Sequence, residues 1–422
     1  MMSVDDELKW LAKLAGMHTN KDVMALVNSP ILPRDKKAKL AKFLSGHAAR
    51  HSPIPHPFLP GPTREEAEAG IAEVGSVVTG KGPEFPFRFR EEHFLCHLLS
   101  AGSTGAGKST VLFHLGIQVH RSAIPVWFFD TESDLAAYAV AAAPDILLAS
   151  YRDVRMALFE GPEAQDLSWQ EHLAKLLATF GWSVLAGDAM CNMARETCIA
   201  LRERQGPFTL IDFYEALLRL KYKVNSREFN FWESLRNRFG GFIVPLLGET
   251  FGSPGSHDIR ALMGKSVVWD LHALSPDMVN FFMTVLLLWV HLVSPVRSSP
   301  RLRLLLVLDE FGRVSGRQQA ERWGMGEPLL FDFMRTCRKR EIGVLIGTQT
   351  PQLLPRQVLS LTNSYVVMRP PDGNFLECVS DALNLDREQE AALMSLPDRN
   401  PRQAVVKCPG FSQPFIVQIP EL

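Results

Sequence analysis

His97-Leu98-Leu99-Ser100-Ala101-Gly102-Ser103-Thr104-Gly105-Ala106-Gly107-Lys108-Ser109-Thr110 is the stretch on which the fold turns. The apolar run from Phe94 to Leu99 predicts a buried strand that ends in small residues. Gly102 to Ser109 then fits G-x-x-x-x-G-K-[ST], and Val111 to Val119 continues with apolar residues at helical spacing. Gly105 and Gly107 allow the backbone to curl so that successive N–H groups point inward at an anion. The cradle so formed comprises Gly102, Ser103, Thr104, Gly105, Ala106, Gly107, Lys108, Ser109 and Thr110. In it Lys108 offers an ammonium to the β- and γ-phosphates and Ser109 a hydroxyl to Mg²⁺. The helix that follows aims its positive end at the same charge. A chance glycine-rich turn fits the pattern too, but a strand before it and a helix after it favour a nucleoside triphosphate as ligand.

Working outward, the 422 residues exceed one ordinary domain, and 46% hydrophobic with 22% charged residues describes a globular chain with a sizeable core. A formal net charge of -1 argues against a globally basic nucleic-acid binder while leaving room for a local basic surface such as a pore. Cys96, Cys191, Cys198, Cys337, Cys378 and Cys408 show neither C-x-x-C nor paired spacing, which suits buried thiols in a reducing compartment. Asp5, Asp6 and Glu7 near the start are unlike a signal peptide, and Phe281 to Val293 is too short to span a bilayer and reads as a core helix. The expected setting is cytoplasmic, with no membrane span.

Residues 1–62 form an N-terminal segment, with helical spacing at Leu8, Leu11, Leu14 and at Leu40, Phe43, Leu44. Lys36, Lys37, Lys39 and Lys42 make one basic face, open to solvent, nucleic acid or a partner. His51 to Pro62 carries five prolines and reads as a linker. Residues 63–143 hold a helix from Arg64 to Glu73, short strands near Val74–Val78 and Phe85–Arg90, the phosphate loop, and a strand Ile124–Asp130. Asp130, Glu132 and Asp134 fall where that strand ends; capping of the next helix and contact with Mg²⁺ or ribose are both open to them. Residues 144–260 read as a helical insertion, with a capping box at Ser168 to Glu171 and a second helix starting at Thr209 to Asp212. Residues 261–422 return to apolar strands alternating with helices: Ser266–Leu271, Leu304–Leu308, Ile342–Thr348, Tyr365–Met368, Gln403–Lys407 and Phe415–Ile419. The whole predicts an α/β fold, a P-loop NTPase (RecA-like) mostly parallel sheet with helices on both faces plus an inserted all-α domain.

A second chemical cluster closes the apolar run Leu304 to Leu308. Asp309 there is placed to complete a Mg²⁺ shell, and Glu310 to orient or deprotonate the water that attacks the γ-phosphate. An adjacent Asp-Glu pair suits hydrolysis better than transfer to a small acceptor. Gln349 closes the next strand, where an amide can read the γ-phosphate or the attacking water. Arg335 to Arg340 is the densest basic cluster; Arg338 there either caps a helix C-terminus or reaches into a neighbouring subunit's site.

Gly-Ser-Thr-Gly-Ala-Gly-Lys-Ser-Thr (102–110), Leu-Asp-Glu (308–310), Arg-Lys (338–339) and Gly-Thr-Gln-Thr-Pro (347–351), in that order, resemble the HerA–FtsK superfamily of hexameric DNA-pumping ATPases. The likeness is to its HerA-like and type IV coupling-protein branches and covers residues from about 70 to about 422. It implies ATP and Mg²⁺ as cofactors, with Lys108 and Ser109 on phosphate and metal, Asp309 and Glu310 on metal and water, and Gln349 as sensor. Arg338 falls at the trans-acting arginine position, although the family's preceding glycine is Cys337 here. The resemblance also implies a homo-oligomeric, hexameric ring that translocates double-stranded DNA without sequence preference. An ATP-gated scaffold recruiting a nuclease or other effector protein, and a protein-export ATPase, are the competing readings.

Overall fold

The computed structural model describes residues 57–420 apart from 59–60, 80–81, 133, 163–166, 184–186, 254, 310–328, 355 and 398–401, together with scattered positions between 8 and 44. Its strands are β1 (Ala72–Thr79), β2 (Gly82–Phe89), β3 (Leu98–Ala101), β4 (Val126–Asp130), β5 (Leu147–Ser150), β6 (Val267–Asp270), β7 (Leu304–Leu308), β8 (Ile342–Thr348), β9 (Ser364–Met368), β10 (Arg402–Lys407) and β11 (Phe415–Ile419). They hydrogen-bond in the order β2-β1-β11-β10-β9-β3-β8-β7-β4-β6-β5, a mixed α/β sheet. The chain divides into two compact units, one of Met1–Phe89, Ser100–Lys108 and Ser364–Leu422, the other of Arg90–Leu99 and Ser109–Asn363.

The first unit is antiparallel. β1 and β2 form a hairpin with Ala72 opposite Phe89, β1 also pairs with β11, and β10 lies between β11 and β9. Its core is aromatic: Phe87 packs edge-on against Phe89 and Phe415 with ring centroids 5.3 and 4.7 Å apart. Such pairs add about 0.5–1.5 kcal/mol each beyond their buried area. The helix expected over Arg64 to Glu73 stops at Glu68, after a capping box in which Thr63 and Glu66 satisfy each other's backbone N–H. Ile71 has by then turned its N–H to Phe89, so the chain has entered the hairpin. Of the N-terminal segment, the helix Lys21–Val27 and a small cluster of Leu8, Ala12, Val27 and Leu44 are described; Leu11, Leu14 and Phe43 lie outside the described residues, as does most of the linker.

The second unit carries parallel strands, β8 beside β7, β7 beside β4, β4 beside β6 and β6 beside β5. Strands covered on both faces need apolar residues at consecutive positions, and Val-Trp-Phe-Phe, Leu-Leu-Leu-Val-Leu and Ile-Gly-Val-Leu-Ile supply them, all buried. The helix Pro276–Val293 packs here. It is the one described helix long and apolar enough to cross a membrane by length and composition, and 67% of it is buried within the protein. Among the described residues, six α-helices from Trp169–Ser183 to Ile259–Met263 and a π-helical turn Phe239–Ile243 form the helical region, joined by Phe159, Phe180, Phe213 and Phe239 with centroids 4.9–6.5 Å apart. The expected box at Ser168/Glu171 forms, and the helix expected to start at Thr209 opens with a second box between Thr209 and Asp212. The range 144–260 also contains strand β5, which pairs with β6 at the end of the sheet.

One strand boundary differs from the sequence expectation. Phe94 and Leu95 belong to a short helix, Glu91–Leu95, and β3 starts only at Leu98. His93 Nδ1 accepts the N–H of Arg90 to cap that helix, and His97 then takes a left-handed backbone (φ +58°) that separates helix from strand.

Candidate phosphate-binding site

Between β3 and the helix Lys108–Arg121 the chain makes the turn Gly102–Gly107. Ala106 donates its N–H to Ser103 O at 3.1 Å, which closes the turn. Gly105 (φ +78°) and Gly107 (φ +96°) occupy left-handed conformations that any side chain would strain. Lys108 opens the helix and is 4% exposed, while Ser109 and Thr110 are half-buried behind it. The loop is thus an exposed crest at Thr104 and Gly105 above a buried lysine, at the positive end of a helix of 14 residues.

Within the second unit, the carboxyl ends of β4, β6, β7 and β8 share one edge, because all four run parallel and Asp130 pairs with Asp270 while Leu308 pairs with Ile346. Asp309 follows β7 on this edge, half-buried. A side chain on Gly347 would meet Asp309 Oδ1 at 2.5 Å and collide with Leu112 Cδ1. The glycine therefore makes room for the carboxylate and for the phosphate-loop helix at a single point. Ser109, three residues before Leu112, lies on the same helix face, so the hydroxyl and the Asp309 carboxylate are brought to one side of the element. Gln349 is half-buried immediately beyond β8. Glu310 lies outside the described residues.

Asp130 has a different job. It is 2% exposed, its Oδ1 accepts the N–H of Glu132, and its Oδ2 accepts the N–H groups of Leu135 and Ala136, all at 3.1 Å. Oδ2 caps the helix Asp134–Ala142, while Oδ1 holds the turn that leads into it. Of the two roles open to this acid, capping is the one the structure displays. No group of three or more His, Cys, Asp or Glu side chains among the described residues is arranged to hold a metal by itself. A phosphate-loop magnesium draws on a hydroxyl, one carboxylate and phosphate oxygens, and the Ser109 and Asp309 pair fits that donor set.

Arg338 lies at the opposite end of β8, in the turn Arg338–Arg340 that follows the helix Leu329–Cys337. Seven strand residues at about 3.3 Å each put it roughly 20 Å from the Asp309 edge. The turn is held on every side. Glu341 N–H donates to Arg338 O, Arg297 N–H to Lys339 O at 2.7 Å, and the Arg340 guanidinium to Ser294 O. Glu341 itself is buried, takes φ +65°, and its carboxylate meets Arg303 Nε at 2.7 Å. Cys337, where the resembling family has glycine, is a fully buried helical residue (φ −53°), so the left-handed step of this turn falls on Glu341. Arg338 is left exposed.

His97 braces this turn from beneath. Its Nε2 donates to Met334 O at 2.8 Å, and Nδ1 is buried without a partner. Burial pushes its pKa down to about 4, against the raising effect of the Met334 bond, with the Arg338 charge adding to the depression. One further side chain reaches the loop without any sequence signal: the Arg402 guanidinium, from the start of β10, lies against Gly107. A lone arginine before an apolar strand carries no motif, and its meeting with Gly107 is a product of the fold.

The turn of backbone amides, the buried lysine at a helix start and the strand-end aspartate define the α/β fold of a P-loop NTPase. The chain is similar over 84% of its length to VirB4 of Thermoanaerobacter pseudethanolicus (98% of that chain, TM-score 0.62, 14% identity). It is similar over 85% to the bacterial conjugative coupling protein TrwBΔN70 in complex with sulphate (91% of that chain, TM-score 0.61, 16% identity). The likeness extends to the plasmid coupling protein TrwB in complex with the non-hydrolysable ATP analogue ADPNP (TM-score 0.60, 16% identity). No protein-family model and no curated protein matches the sequence. The chain has the fold of these structures, the one that resemblance to the HerA–FtsK superfamily implies.

Proposed function

We propose that this chain is an ATP-hydrolysing, ring-forming DNA translocase of the HerA–FtsK type. The observation that carries the reading is the single contact point at Gly347, where the phosphate-loop helix and the Asp309 carboxylate meet over the end of β8. Phosphate loop and metal-binding acid have to converge in this manner for hydrolysis. TrwB, which shares the fold, is known in complexes with ADPNP and with ADP and Mg²⁺, which supports ATP and Mg²⁺ here.

In this reading Lys108 and the amides of residues 102–110 bind the phosphates, and Ser109 with Asp309 would hold Mg²⁺. The ion, when bound, neutralises charge on the β- and γ-phosphate oxygens. Glu310 orients and deprotonates the attacking water, and Gln349 reports the state of the γ-phosphate. Arg338 lies too far from the Asp309 edge to serve its own subunit's metal site, and its exposure suits insertion into a neighbour's site in a hexameric ring. DNA would then be gripped through its backbone, without sequence preference.

The test is ATP turnover by wild type and Lys108→Ala with and without duplex DNA over a range of salt. The expected result is turnover stimulated by DNA, with a stimulation that falls steeply as salt rises, and loss of turnover in the variant. Unchanged turnover in Lys108→Ala would refute the phosphate-loop assignment. Turnover indifferent to DNA but raised by a protein partner would replace the translocase with the scaffold.

A further inference from the structure

Arg402 begins β10 in the same compact unit as residues 100–108 of the phosphate loop. A carbon placed on Gly107 would stand 2.8 Å from Arg402 Nη1, 3.3 Å from Cζ and 3.4 Å from Cδ. The distal half of the side chain is therefore draped along the loop backbone, not touching it by one atom. The guanidinium is half-buried, and among the described residues it takes part in no hydrogen bond or ion pair.

A guanidinium always carries its charge and offers five donors in a rigid fork. Here it sits one residue from the buried ammonium-bearing Lys108 and beside the positive end of the phosphate-loop helix. A guanidinium held against this turn, whose amides gather at a helix start, makes the turn a favourable place for an anion. The anion that this loop is shaped for is a phosphate chain.

We propose that Arg402 is a second cationic ligand for the phosphates of the bound nucleotide, delivered in cis by the C-terminal hairpin β10–β11. The proposal rests on the phosphate-loop reading above and adds a residue from outside every motif. It assigns to the hairpin a function besides packing. Arg402 pairs in register with Ile419 of β11, so an anion that fixes the guanidinium also fixes the end of the hairpin beside the loop. Arg402 and Arg338 then divide the cationic work, the first acting on its own subunit's nucleotide and the second on a neighbour's.

The experiment is calorimetric titration of wild type, Arg402→Met, Arg402→Lys and Lys108→Ala with ADP, inorganic tripolyphosphate and adenosine in magnesium buffer. Arg402→Met keeps the stem on Gly107 and removes the charge; Arg402→Lys keeps the charge and loses the fork. The expected result is ADP and tripolyphosphate binding about tenfold or more weaker in Arg402→Met, an intermediate loss in Arg402→Lys, and unchanged adenosine binding. Tripolyphosphate bound by Arg402→Met as tightly as by wild type overturns the proposal, as does a proportional loss of adenosine. If Arg402→Met loses its cooperative melting transition, Arg402→Lys carries the test: wild-type tripolyphosphate affinity with weakened ADP overturns it. Should wild type bind neither ADP nor tripolyphosphate and match Lys108→Ala, the phosphate-loop reading itself fails and takes the proposal with it. A wild type that binds both, with only Lys108→Ala impaired, removes Arg402 alone.

Discussion

His97 holds a conformation that its side chain does not favour. A left-handed backbone at a non-glycine residue costs on the order of 1 kcal/mol, and a buried nitrogen without a partner adds to it. The return is one hydrogen bond to Met334 O, which steadies the helix that ends just before Arg338. Because a carbonyl can only accept, Nε2 carries the proton and the ring is neutral in the native state. As pH falls through the ordinary histidine value near 6.5, the unfolded chain takes up a proton that the folded chain refuses until about 4. This residue's contribution to stability therefore falls across that window, by up to about 3 kcal/mol, and is constant below it. Denaturant midpoints at pH 7 and pH 4.5 check this: His97→Gln should lose less stability than wild type between the two. Equal losses would take His97 out of the acid response.

At the scale of elements, β7 and β8 were legible because strands buried on both faces must be apolar throughout, and each closes on a polar residue where the sheet ends. The start of β3 was not. Phe94 and Leu95 continue its apolar run in sequence, and only the Arg90–His93 cap and the turn at His97 divide them. Four-residue β5 was equally hidden; Leu147 and Leu148 are exposed at the end of the sheet, so no alternation marks them. Lys108, Ser109, Asp309 and Gln349 could be nominated from sequence because each belongs to a local motif, whereas Arg402 could not, since nothing local announces a contact with Gly107. Gly347 lies between these cases: it belongs to a recognised run, yet its reason is the space shared by Asp309 and Leu112. Gly347→Ala should destabilise the fold by about 1–3 kcal/mol, as overpacking does, and raise the Mg²⁺ concentration needed for half-maximal turnover. Thermal unfolding and a Mg²⁺ titration read the two effects separately; an unchanged Mg²⁺ requirement would detach Asp309 from the metal.

For the molecule as a whole, the parallel strands set a distance. Asp309 ends one side of the sheet and Arg338 precedes the other, so under the proposed function the arginine would act on a second copy's site. Mixing Arg338→Ala subunits into wild type should depress turnover beyond simple dilution, because in the proposed ring each mutant subunit would also silence its neighbour. A linear dilution curve would put Arg338 outside the adjacent site.

β1 hydrogen-bonds β11 directly, Ser76 opposite Gln418, although most of the described sequence separates the two strands. During synthesis the β1–β2 hairpin must wait with one edge bare until β11 has left the ribosome. Contacts this distant in sequence form slowly. The nascent chain is therefore open to mispairing until β11 appears, and its yield on expression depends on how well that early hairpin is shielded in the interval.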